Sequence, residues 1–77
     1  MTRHRLDRLA SILANQGFVR TYAHTYPGEY AIEVMTRQGE SVDRLRAELE
    51  SEGGTLVFTT AVGSLPVYQF RFPRTEK

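Results

Sequence analysis

Two stretches of strict alternation constrain most of what this chain can fold into. Tyr30-Ala31-Ile32-Glu33-Val34-Met35 puts Tyr30, Ile32 and Val34 on one side of an extended backbone. Val67-Tyr68-Gln69-Phe70-Arg71-Phe72 does the same with Tyr68, Phe70 and Phe72. A strand with one apolar side must bury it against another layer. Two such strands predict one sheet whose apolar sides form a shared floor under helices, with Ile32 and Phe70 nearly inaccessible. Glu33 and Arg71 then belong together on the opposite, open side.

Two segments can supply the cover. Residues 3–16 carry Leu6, Leu9, Ala10 and Leu13 at helical spacing, with Thr2 to cap the start and Gly17 to end the helix. Residues 41–52 carry Val42, Leu45 and Leu49 in a narrower stripe, with Ser41 as the expected N-cap and Gly53-Gly54 as the stop. Opposite charges four apart, at Glu40/Arg44, Arg44/Glu48 and Arg46/Glu50, mark a solvated outer face.

Residues 18–26 have strand composition but no apolar side. Phe18, Arg20, Tyr22, His24 and Tyr26 alternate with Val19, Thr21, Ala23 and Thr25, which predicts an edge strand. Pro27-Gly28 suits a type II turn, a poor match to a tight two-residue hairpin, so a longer loop or a bulge is expected. Leu56–Val62 is a further strand. Gly63–Pro66 turns the chain, and Pro73 ends the last strand.

The element order is therefore α-β-β-α-β-β, an α+β class. With the last strand moved to the front, it becomes β-α-β-β-α-β, the ferredoxin-like order, so the chain resembles a circular permutation of it. A right-handed crossover through the second helix leaves a slot between the second and third strands. The fourth strand fills it, giving the sheet order 3-4-2-1, antiparallel or mixed, with both helices on one face. The likeness is one of topology and implies no function. At 77 residues the chain holds a single domain, residues 1–77, with 74–77 as a tail.

Chemistry is sparse. There is no cysteine, and the two histidines, His4 and His24, fall in separate elements, so no metal site is expected. No Gly-x-Ser-x-Gly elbow and no phosphate loop occurs, and the helix carboxylates alternate with arginines on a solvent face. These features predict no enzyme activity, no catalytic residue, no cofactor and no small-molecule substrate. No apolar run reaches membrane-spanning length, and the N-terminal arginines are not followed by an apolar signal core, so the expected location is the cytoplasm.

Binding surfaces are better supported. Arg20, Tyr22, Tyr26 and Tyr30 gather around the first hairpin, and Tyr and Arg are enriched at protein interfaces because they bury area while keeping a polar handle. On an edge strand they suit partner docking or a homodimer. The expected function is that of a small non-enzymatic regulatory protein acting through protein–protein contacts. The alternative is nucleic-acid binding through Arg3, Arg5 and Arg8 at the start of helix 1, where cations oppose the helix dipole, together with Arg71 and Arg74. Nine of the ten basic residues are arginine, but the net charge is only +1. The open side of the two central strands shows Ala31, Glu33, Met35, Val67, Gln69 and Arg71. That set has no stacking platform and includes an acid, which disfavours single-strand recognition.

Overall fold

The computed structural model describes residues 1–75. Its elements run α1 (Arg3–Ala14), β1 (Arg20–Tyr26), β2 (Glu29–Met35), α2 (Asp43–Ser51), β3 (Thr55–Val62) and β4 (Leu65–Pro73). The four strands form one sheet in the order β1-β2-β4-β3, and every neighbouring pair is antiparallel. This is the α+β architecture expected from the alternation, without a parallel pair.

The two alternating strands occupy the centre. Ile32 lies opposite Phe70, Tyr30 opposite Phe72 and Val34 opposite Tyr68. Directly opposed residues in an antiparallel pair share a side, so these six make the floor. Leu6, Leu9 and Leu13 of α1 and Leu45 and Leu49 of α2 close on that floor, with Ile32 and Leu49 fully inaccessible and Phe70 1% exposed. Met1, Phe18, Val42, Leu56 and Tyr68 pack around the margin.

Helix ends follow local chemistry. The Thr2 hydroxyl accepts a hydrogen bond from the Arg5 N–H at 3.1 Å, the expected cap of α1. The start of α2 differs from expectation. Val42, not Ser41, occupies the N-cap position and supplies no side-chain bond. The preceding turn is instead held by Glu40, whose carboxylate accepts from the Arg37 N–H at 2.9 Å. Packing of Val42 on the core sets the entry angle, and Ser41 is left outside the helix.

At the other end of α2, Gly53 adopts φ +90°, its N–H donates to the Glu50 carbonyl at 3.0 Å, and the Gly54 N–H donates to the Leu49 carbonyl at 2.9 Å. These two bonds satisfy carbonyls that the helix leaves open. Gly54 serves a second purpose. A Cβ there would lie 2.5 Å from Cε2 of Phe72 and 2.8 Å from the Leu49 carbonyl oxygen. The missing side chain lets the chain pass over the Phe72 ring.

The first hairpin is tighter than expected. Tyr26 pairs directly with Glu29, leaving only Pro27 and Gly28 in the loop, with Gly28 at φ +75°. The Gly28 carbonyl also accepts from the Arg74 N–H at 3.1 Å, so the β4 end braces the turn that its own geometry would splay. Arg74 is thus no loose tail, and the Thr75 N–H donates to the Met1 carbonyl at 3.1 Å. Residues 76 and 77 of the expected tail lie outside the described residues.

Candidate functional site

The helices cover one side of the sheet, and the register places the functional candidates relative to the other. Arg20 opposes Met35, Tyr22 opposes Glu33, His24 opposes Ala31 and Tyr26 opposes Glu29. All four β1 residues therefore share the open side with Glu29, Ala31, Glu33 and Met35. Across β4 the same side continues through Val67, Gln69 and Arg71, and on β3 through Phe58, Thr60 and Val62.

Alternation alone could not assign the β1 sides, and the register does. Its consequence is an aromatic row. Tyr22 and His24 stand with ring centroids 6.2 Å apart, and His24 and Tyr26 with centroids 6.0 Å apart. The central strands lack a stacking platform on this side, as expected, but the edge strand supplies one. Arg20 extends the row, its guanidinium donating to the Tyr22 hydroxyl at 2.8 Å.

Polar groups between the strands are tied together. The Gln69 amide donates to Glu33 at 3.1 Å and accepts from Arg71 Nε at 2.7 Å. Arg71 Nη1 donates to Glu29 at 2.9 Å, and its guanidinium carbon sits 4.1 Å above the Tyr26 ring. Glu33 and Arg71 thus lie on one side of neighbouring strands, as expected, but Gln69 joins them. Glu33 also lies 3.9 Å from His24 Nε2. Arg20 and Arg71 share this side with Glu29 and Glu33, so the formal charges of the row and the centre cancel. Gln69 is buried although it faces outward, because its neighbours' long side chains close over it.

Tyr30 does not join this face. It is 1% exposed and belongs to the core, with Arg74 stacked 4.8 Å above its ring. Its place in the alternation of β2 overrides the surface role its residue type suggested. Of the proposed interface set, Arg20, Tyr22 and Tyr26 come together and Tyr30 is removed.

The arginines of the alternative set divide. Arg71 is on the open side, bonded to Glu29. Arg3 and Arg5 are on α1, across the sheet. Arg3 donates to Asp7 at 3.2 Å and to the Thr25 hydroxyl at 3.0 Å. Arg5 grips both carboxylate oxygens of Glu52, its Nε at 2.9 Å. The hydrogen bond from Arg5 is the main reason the Glu52 carboxyl is held below its ordinary range and the Arg5 guanidinium above its own. Arg8 is exposed on α1. The five arginines form no single basic surface.

Sequence reasoning missed the contribution of β3. Val57, Phe58 and Val62 are 47%, 42% and 58% exposed, an apolar border on the far edge of the open side. No charged residue occurs between Glu52 and Arg71, but that run includes the buried Val67, Gln69 and Phe70 as well, so it did not mark β3 as exposed. Among the described residues, no group of three or more His, Cys, Asp or Glu stands ready for a metal ion, and no helix is long and apolar enough to cross a membrane. No protein-family model, no curated protein and no solved structure matches the chain.

Proposed function

We propose that the chain is a non-enzymatic binding protein whose open sheet side, led by Arg20, Tyr22 and Tyr26, docks on a protein partner. One observation carries the reading: an aromatic and arginine row stands on the uncovered side, held in place before any partner arrives. Arg20 is fixed by Tyr22, and Tyr26 by Arg71. Side chains already ordered lose less entropy on binding. Tyr and Arg are the residue types that anchor protein interfaces. Balanced charge on this side suits a protein of mixed charge better than a phosphate backbone, whose binding requires a surplus of cations.

The test compares two variants for capture of proteins from the native cell. Tyr22→Ala with Tyr26→Ala should abolish capture while lowering stability by about 1 kcal/mol or less, the worth of an exposed cation–π contact. Arg3→Ala, Arg5→Ala and Arg8→Ala together should leave capture intact. In parallel, binding of single-stranded and duplex oligonucleotides should be no tighter than about 10⁻⁵ M at physiological salt, the non-specific range. If the arginine variant loses capture and the tyrosine variant keeps it, or if oligonucleotides bind more tightly with a steep salt dependence, the nucleic-acid alternative replaces this reading.

A further inference from the structure

The free edge of β3 differs from the free edge of β1. Exposed edges are normally blunted by charges, prolines or bulges, because unpaired backbone groups template further strands. β1 is guarded: Arg3 reaches across to Thr25, and Arg20 and His24 lie along the strand. β3 has one irregularity, a register shift between Leu56 and Phe58, and beyond it no charge and no proline. It is also uncovered. The nine residues of α2 span about 14 Å, whereas the eight of β3 span about 27 Å. Every residue from Val57 to Val62 is exposed, on both sides of the sheet.

The outward-pointing groups can be identified. The Pro66 carbonyl accepts from the Thr36 N–H at 2.9 Å, so the backbone of Pro66 points toward the β2 side of β4. Pro66 lies opposite Ala61, which therefore makes no ladder bond there and directs its own N–H and C=O to the free edge. By the same alternation Thr59 does so too, while Phe58, Thr60 and Val62 face β4.

We propose that β3 is a self-association edge, and that its occupant is β3 of a second copy of this chain. The two strands run antiparallel about a two-fold axis normal to the sheet at Thr60. In this register Thr59 of each copy exchanges both backbone bonds with Ala61 of the other. Phe58 of each copy lies beside Val62 of the other on the open side, and the two Thr60 residues meet at the axis. The register uses all the outward groups of Thr59 and Ala61 and stays clear of the shift at Leu56/Phe58 and of the Gly63 turn. A two-fold axis brings every charge near it close to its own copy, so an edge charged around the axis would repel itself. The missing charge makes β3, not β1, fit a second copy. The contact is short, in the class of interfaces below about 1,200 Å² that form weak complexes. The product is one continuous sheet with both open sides facing the same way. The inference rests on the β3 backbone and charge pattern, independently of the Tyr22/Tyr26 row.

Light scattering and sedimentation between about 10 µM and 1 mM test it. The mass should rise from 8.8 kDa to twice that value and stop, with Kd on the order of 1–100 µM, as for a small weak interface. Ala61→Pro removes an N–H that the fold does not use and should weaken association at least tenfold, with the circular dichroism spectrum unchanged. Thr59→Lys should do the same and serves should the proline variant fail to fold. The chain has no cysteine, so Thr60→Cys gives a single thiol at a non-hydrogen-bonded pair, where Cα atoms lie about 4.5 Å apart, within disulfide reach. It should cross-link on mild oxidation, and Thr21→Cys on the β1 edge should not. A monomer at 1 mM, a mass that keeps growing past the dimer, or folded Ala61→Pro and Thr59→Lys variants that associate like wild type would overturn the proposal. Tyr22→Ala with Tyr26→Ala should leave the dimer unchanged.

Discussion

At Gly54 the backbone lies against the Phe72 ring, and the smallest possible substitution reports on it. Gly54→Ala forces its Cβ into the ring or the Leu49 carbonyl. Overpacking of this kind costs about 1–3 kcal/mol, and urea denaturation should register that loss. A wild-type midpoint would mean that Phe72 moves aside freely. Glu52 supplies a pH-dependent counterpart. Arg5 holds its carboxyl below the ordinary 4.5, so the folded state binds its proton less readily than the unfolded chain. The resulting stabilisation is complete above that ordinary value and is lost as pH falls through the depressed folded one. Glu52→Gln should lower the melting temperature at pH 7, and the difference should shrink toward zero as the pH falls below that ordinary value and through the depressed folded one. At this scale the core was legible because alternation depends only on position. Tyr30 shows the limit. Its residue type pointed to an interface and its position to the core, and position decided. Tyr22 and Tyr26 could not be assigned in advance because their strand has one small, bland side and one large amphipathic side, neither of them plainly apolar, and only pairing with β2 distinguishes them.

Element ends make a sharper comparison. Thr2 and Ser41 carry the same apparent signal, a hydroxyl residue just ahead of an apolar stripe. Only Thr2 caps. Thr2→Ala should cost about 0.5–2 kcal/mol, whereas Ser41→Ala should fall within about 0.5 kcal/mol of wild type. Denaturant titrations of the pair would decide, and equal losses would restore Ser41 as a cap. The difference was unreadable because it depends on how Val42 packs, a tertiary fact. The first hairpin teaches the same lesson. Pro27-Gly28 disfavours a two-residue loop by itself, yet Arg74, far along the chain, braces it. The exposure of β3 was hidden as well. Leu56–Val62 has the composition of a buried strand, and only the short length of α2 leaves it bare.

For the whole molecule, the sheet order β1-β2-β4-β3 was legible from element order and crossover handedness, since few topologies satisfy both. The order places Thr75 beside Met1. Chains whose described ends meet tolerate permutation. Opening the Gly63-Ser64 turn and linking the far end of the chain to Met1 should give a protein with the same sheet, now read as β-α-β-β-α-β. Its amide chemical shifts should match wild type away from the two junctions. A molten spectrum would show that the β3–β4 turn is needed for the pairing.

The position of β4 also has a consequence during synthesis. It bonds to strands on both flanks, yet it follows all three in the chain. On the ribosome, where chains grow at about 5–20 residues per second, only the first hairpin and its helix can settle early. β2 then waits with one flank open, and β3 has no partner at all. The joining of the two halves falls to the stretch around Phe70, which leaves the exit tunnel last of the sheet. Through that interval the nascent chain displays the charge-free β3 strand, so crowding on a busy messenger is where premature pairing between neighbouring copies would begin.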